Sequence, residues 1–259
     1  MSSSQNAKLT KQQRRDAARE QARKLREAQQ RREKRNRLLI IIGVIVFIAI
    51  VVAAIVSIVV AANRAPLEGV DERPSVATED AAFPVGADGV GSVNDGAPVV
   101  DVYLDYLCIY CAQFESINGA DLDELADGGE ATVNYRPVAF LTANSDFSVR
   151  GANALAVVAE DSPEHFTDFN MELFAAQGEG ATPLSDEQIA QIGLDVGVPQ
   201  DVVDTFTDGR FNDWVVAATE HAAGEGVGGT PTVLIDGEEL EPGVWQNPGA
   251  LAQTIRDAA

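Results

Sequence analysis

The chain has 259 residues and a formal net charge of −21, unevenly spread: residues 1–37 carry nine positive charges in excess, the remainder thirty negative ones, with six Arg and no Lys. So acidic a main body excludes nucleic acid as a partner, because phosphate binding requires clustered Lys and Arg. With only two Cys there is no framework of structural disulfides, and the non-membrane length suits one domain of ordinary size.

Residues 1–37 are rich in Ala, Gln, Glu, Lys and Arg, which favour helix. They have almost no apolar face, so a basic cytoplasmic tail that orients the chain and is drawn to anionic lipid is expected. Residues 38–62 form an uncharged apolar run, LLIIIGVIVFIAIVVAAIVSIVVAA. As a helix the run would span about 37 Å against roughly 30 Å of hydrocarbon. It exceeds the h-region of a secretory signal, although Val60-Ala61-Ala62 could pass as a cleavage site, and it reads as an uncleaved signal anchor. The Arg/Lys-rich flank precedes the run, which puts the N-terminus in the cytoplasm and residues 63–259 outside the cell membrane.

Residues 63–84 read as a Pro-, Glu- and Ala-rich linker, and residues 85–259 as the working domain. Pro98 to Leu104 has the composition of a strand, and Cys111 to about Ala126 the spacing of a helix. Thr132 to Leu141 reads as a second strand. Residues 146–224 are almost entirely helical in pattern, with starts at Ser162-Pro163 and at the Ser185-x-x-Gln188 box. Thr232 to Ile235 is a strand, Asp236-Gly237 a turn and Glu238 to Leu240 a short partner. Asn247-Pro248 is expected to open a last helix. The order predicts an α/β core with an all-helical insertion.

Cys108-Ile109-Tyr110-Cys111 falls where a strand gives way to a helix. The first N–H groups of a helix lack internal partners and its dipole is positive there, so a thiolate at Cys108 is favoured. One helical turn brings Cys111 into bonding range. Cys108 is then the accessible attacking thiol and Cys111 the resolving one, a dithiol able to exchange disulfides. The same two cysteines are also compatible with a pair of inert buried thiols or with half of a metal site completed by His165 and His221. The two His lie 56 positions apart, unlike short-spaced zinc ligands, and no metal is expected. The aromatics of the helical block, with Trp214 and Trp245, read as packing residues.

Asp105-Tyr106-Leu107-Cys108-Ile109-Tyr110-Cys111 resembles the D-[FY]-x-C-P-Y-C motif of DsbA-like thioredoxin-fold proteins. Gly228-Gly229-Thr230-Pro231-Thr232 is similar to their G-x-x-G-T-P-T segment. The two motifs flank a helical block of the size that family carries (about 146–224), and the anchor-plus-linker arrangement resembles membrane-tethered actinobacterial members. The resemblance covers about residues 85–259. It implies a thioredoxin fold with an all-helical insertion, preceded here by one transmembrane helix, and a protein-disulfide oxidoreductase whose redox-active disulfide needs no further cofactor. It implies a cis Thr230–Pro231 bond facing the cysteines, with Thr230 and Pro231 meeting an extended substrate chain. Its partners would be thiols of exported or unfolded proteins and a membrane re-oxidase of DsbB-like or vitamin K epoxide reductase-like type. Two positions depart from the pattern. Ile109, in the active-site dipeptide with Tyr110, replaces the usual Pro and leaves the direction of electron flow open. The family's frequent buried acid six residues before the first Cys is Val102 here, with Asp101 and Asp105 as candidate proton-transfer acids. A dithiol oxidase is the leading expectation; a reductase or isomerase, and a tethered holding chaperone, are the alternatives.

Overall fold

The computed structural model describes residues 67–143, 145–177 and 182–259. The basic tail and the apolar run 38–62 lie outside the described residues, and among the described residues no helix is long and apolar enough to cross a membrane.

Six strands form one mixed sheet. They are β1 (Phe83–Gly86), β2 (Gly89–Val90), β3 (Val99–Leu104), β4 (Thr132–Pro137), β5 (Thr232–Ile235) and β6 (Glu238–Glu239), in the order β2-β1-β4-β3-β5-β6. β3 and β4 are parallel, joined by helix α1 (Ile109–Asp127), and the remaining pairs are antiparallel. Strand alternation decides what β3 faces. Val100, Val102 and Leu104 enter the main core, while Tyr103 packs on the other side with Val138 and Ala222. The β5–β6 turn is Asp236-Gly237, both at positive φ, and Asp236 Oδ1 also accepts from Val99 N. That pair suits a two-residue hairpin loop because Asp and Gly tolerate left-handed backbone.

Between β4 and β5 lie α2 (Phe147–Asp161), α3 (Phe166–Ala175), α4 (Asp186–Asp195), α5 (Gln200–Val203) and α6 (Asn212–Gly224). α2 is apolar nearly all round, as a helix enclosed by its neighbours must be. Its large buried polar group, Asn153, donates to Phe206 O and accepts from Phe211 N, so burying it costs no unmade bond. The Ser185–Gln188 capping box is formed in both directions. Ser162-Pro163 opens a short 3-10 turn, with Pro at its first position.

Three differences from the sequence reading have physical causes. The hairpin β1–β2 went unread because four residues with Pro at the second show no alternation. It nevertheless pairs with β4, and Phe83 packs against Phe166 (5.3 Å) and Trp214 (5.2 Å). Ala81, Ala82 and Phe83, inside the stretch read as a linker, are buried, and Leu67, Val70 and Val76 pack on the core. β4 stops at Pro137 rather than Leu141, because Ala139 N and Leu141 N turn away to the Thr219 hydroxyl and the Asp105 carboxylate. The last helix, α7 (Ala250–Asp257), is capped by Gly249 at φ 75° and not by Asn247. Asn247 is committed to the preceding turn, donating from its amide to Gly243 O.

Candidate active site

Cys108 is the N-cap of α1, with extended backbone (φ −92°, ψ 114°), so the helix begins at Ile109. The turn before it is held by Asp105. Its Oδ1 accepts from Leu107 N (2.8 Å) and the Ser148 hydroxyl, its Oδ2 accepts from Leu141 N (2.9 Å), and its carbonyl accepts from Cys108 N (2.9 Å). Tyr106 is pinned just as firmly. Its hydroxyl donates to Asn170 Oδ1 (2.6 Å) and its ring stacks on Phe174. Gly151 lets α2 approach that ring, since a Cβ there would sit 3.1 Å from it. Two helices of the insertion, α2 and α3, thus fix the segment that delivers Cys108.

The Thr230–Pro231 bond is cis. Its loop meets the cysteines, and the Cys108 thiol donates to Thr230 O at 3.3 Å. Gly228 and Gly229 beside it are exposed. Cys111 is fully buried; Cys108 is only 6% exposed, less than its reading as an open thiol implies, because it lies against Thr230. The large exposed side chain of the dipeptide is Tyr110. Ile109 stands at the first helical position, where Pro is also at home.

Both cysteines are free thiols. The Cys108 thiol is lowered to about 6, first by a hydrogen bond from the Cys111 thiol, then by the Thr230 side chain and the N–H groups of Cys111 and Tyr110; burial opposes them. Cys111 is pushed far up, mainly by burial and further by giving its hydrogen to Cys108. The pair therefore stores one negative charge on Cys108 and one proton on Cys111. In chemical terms Cys108 is a good attacking and leaving group and Cys111 a poor leaving group unless protonated.

Neither candidate acid of the sequence is disengaged. Asp101 lies on the face of β3 opposite Val102 and is bonded by Asn134 and Arg136. Arg136 also bonds Asp80, so it ties β4 to the segment before β1. Asp105 carries the bonds just described. The acid that sequence reading missed is Glu115, 4% exposed and one turn beyond Cys111 on α1. Burial raises its carboxyl to about 8. The buried set Cys111, Phe114, Glu115, Asn118 and Leu122 has helical spacing, and extending the Cys111 face by four residues would have found it. His165 contacts Glu164 across 3.7 Å, and among the described residues no cluster of three or more His, Cys, Asp and Glu is placed to hold a metal.

A thioredoxin family model matches residues 92–251. No curated protein matches the sequence. Among solved structures, the chain is similar to the MdbA thiol-disulfide oxidoreductase of Actinomyces oris (26% identity, TM-score 0.62, 76% of this chain and 97% of that one). It is similar to the reduced disulfide bond oxidoreductase DsbG of Mycobacterium tuberculosis (30%, 0.58, 70% and 89%) and to oxidised DsbA of the same organism (29%, 0.56, 68% and 91%).

Proposed function

From the premise that the chain belongs to the DsbA-like thioredoxin-fold family and is a thiol–disulfide oxidoreductase, we propose that it is a membrane-tethered dithiol oxidase, introducing disulfides into exported proteins through Cys108 and Cys111. The observation that carries the direction is the thiolate site at Cys108. A thiolate favoured by N–H donors and by the neighbouring thiol stabilises the reduced pair, so the disulfide is the form that gives way and oxidises its client.

In the forward reaction a client thiolate attacks Cys108 Sγ of the Cys108–Cys111 disulfide. The S–S bond breaks, Cys111 leaves with the electron pair and takes up a proton, and client and Cys108 share a mixed disulfide. A second client thiolate attacks the client sulfur and releases Cys108 as a thiolate. The client has lost two electrons and two protons, and the pair has gained two electrons. Thr230 and Pro231 would seat the client's extended backbone beside Cys108, and Tyr110 would lie against it. A quinone-linked membrane enzyme of DsbB-like or vitamin K epoxide reductase-like type would take the electrons away. Residues 1–37 would be cytoplasmic, 38–62 the anchor, and the domain extracytoplasmic. The charge asymmetry and the uncharged run support that topology.

The test is a redox titration of the pair together with oxidation of a reduced, unfolded substrate. A potential well above that of thioredoxin is expected. A value near about −270 mV would sink the oxidase and favour a reductase or isomerase. Full activity in Cys108→Ser would overturn redox chemistry altogether and leave a holding chaperone.

A further inference from the structure

A cleft of about 770 Å³ runs between α1 and α3 and begins at Ile109, the residue after Cys108. That volume falls in the range of ligand pockets, about 300–1,000 Å³. Ile109 and Ala112 form one wall and Met171 and Phe174 the other, so the cleft is apolar along its length. The opposite flank of α1 is closed, since the Phe114 ring meets Trp245 edge-on and the Asn118 amide donates to Trp245 O. Two acids interrupt the apolar lining, Glu115 within it and Glu172 exposed at its rim. Neither α1 nor α3 carries a Lys or Arg, and the two helices add Asp123 and Asp168. Glu115 is 4% exposed. Its Oε1 accepts from the Asn170 amide, while its Oε2 is buried without a partner among the described residues. That oxygen lies beside Gly119, where an added Cβ would meet it at 3.1 Å and Met171 Cγ at 3.7 Å. Met171 thus lines the cleft and borders this site, and an unbranched thioether adapts readily to what enters.

Resting on the redox reading above, we propose that the α1–α3 cleft selects clients: it takes a basic side chain, Arg or Lys, from the client segment whose cysteine is joined to Cys108, with the aliphatic stem along the apolar walls and the cationic head on Glu115 Oε2. Such a side chain keeps its stem on apolar surface while its head seeks an acid. An acceptor left unpaired in the free protein is the group that a charged donor stabilises most. Oε1 is already engaged, so a single N–H···O contact is made, which Arg and Lys can both supply. Glu172 at the rim draws the cation inward. Glu115 stands seven positions after Cys108, about 10 Å along the helix axis. An extended chain covers that distance in about three residues, which sets the spacing between the client's cysteine and its basic residue. Burial and the charge of Asp123 hold the carboxyl of the free protein up at about 8. Seating a cation therefore expels that proton to solvent, and the preference grows as pH rises toward 8. The titratable groups around Glu115 are Cys111 and Asp123 on α1, Tyr106 before α1, Tyr135 on β4, and Asp168 and Glu172 on α3; none of these is a cation that would compete.

The experiment uses the oxidised protein and reduced peptides holding one Cys, with Arg or its uncharged isostere citrulline set about three residues before or after it. Formation of the mixed disulfide on Cys108 is followed by rapid quench and mass spectrometry, and each rate is expressed per peptide thiolate. At pH 8 the wild-type protein is expected to prefer Arg to citrulline by about tenfold in one of the two placements, the worth of a hydrogen bond to a charged group. The ratio is expected to shrink at pH 6.5 and to fall close to one in Glu115→Gln. General attraction to the acidic domain favours both placements alike and survives that substitution. A wild-type ratio near one in both placements, or a ratio unchanged in Glu115→Gln, overturns the proposal. Should that variant not fold, Ala175→Trp decides, because it fills the cleft from an exposed position on the α3 wall. A preference for Arg that survives Ala175→Trp overturns the proposal. If the wild-type protein forms no mixed disulfide with any of the peptides, the redox reading itself has failed, which this readout separates from equal rates with Arg and citrulline.

Discussion

Cys108 and Cys111 are three positions apart and are held on opposite sides of neutrality by ordinary forces. Cys108 takes hydrogen bonds, while Cys111 is buried and gives one. Ultraviolet titration of the reduced protein should therefore show one thiolate forming at about 6, and Cys111→Ala, which removes the first of those donors, should move it upward by roughly one unit. Ile109→Pro should be nearly silent in both stability and Cys108 titration. The N-cap backbone of Cys108 already suits a residue before Pro, and the N–H donors belong to Tyr110 and Cys111. A shift above about one unit would show that Ile109 N–H also holds the thiolate. Glu115 makes a prediction of opposite sign to a salt-bridged acid. In the unfolded chain it ionises near 4.5, in the folded one near 8. Folding stability therefore declines as pH rises from about 4.5 to about 8 and levels off above. Glu115→Gln should remove that slope and, at pH 8, stabilise by roughly a few kcal/mol more than at pH 5, read by urea unfolding. The cysteines were legible in the sequence because two motifs flank a block of characteristic length. Glu115 was not, because one acid in a helix of mixed polarity looks solvated until the packing of α3 over it is known.

At the level of elements, the strands and helices that carry the pair could be read from period and turn residues, since β3, α1, β5 and the Asp236-Gly237 hairpin each obey their local rules. β1 could not. Its identity comes from what meets it, Tyr135 and Val133 of β4 at its side and Phe166 and Trp214 on its face. Phe83→Ala should cost about 3–5 kcal/mol, the amount for a fully buried ring in a core, where a linker residue would cost almost nothing. The Ser185–Gln188 box was readable because its two bonds lie within one turn, and Ser185→Ala should cost about 1 kcal/mol in the same unfolding assay. The Asn247-Pro248 start failed for a related reason: a capping side chain serves the backbone group it reaches first, and here the Asn247 amide donates back to the Gly243 carbonyl, inside the preceding turn.

Taken whole, the chain joins an acidic domain to a basic tail through an uncharged run. If the run is an uncleaved anchor, the full-length protein should stay with the membrane fraction after carbonate washing, and protease added from outside should remove the domain but spare the tail. β1 carries one more consequence. A tether of the proposed kind would transmit force, and tension on the chain ahead of residue 67 would enter the domain through the segment that leads into β1. There the Asp80–Arg136–Asp101 ion pairs and the Phe83 ring join that segment to both the sheet and the helical block. Load from such a tether would be shared across the two layers before it could reach the Cys108 turn, so a client tugging on its mixed disulfide would be resisted by the whole domain.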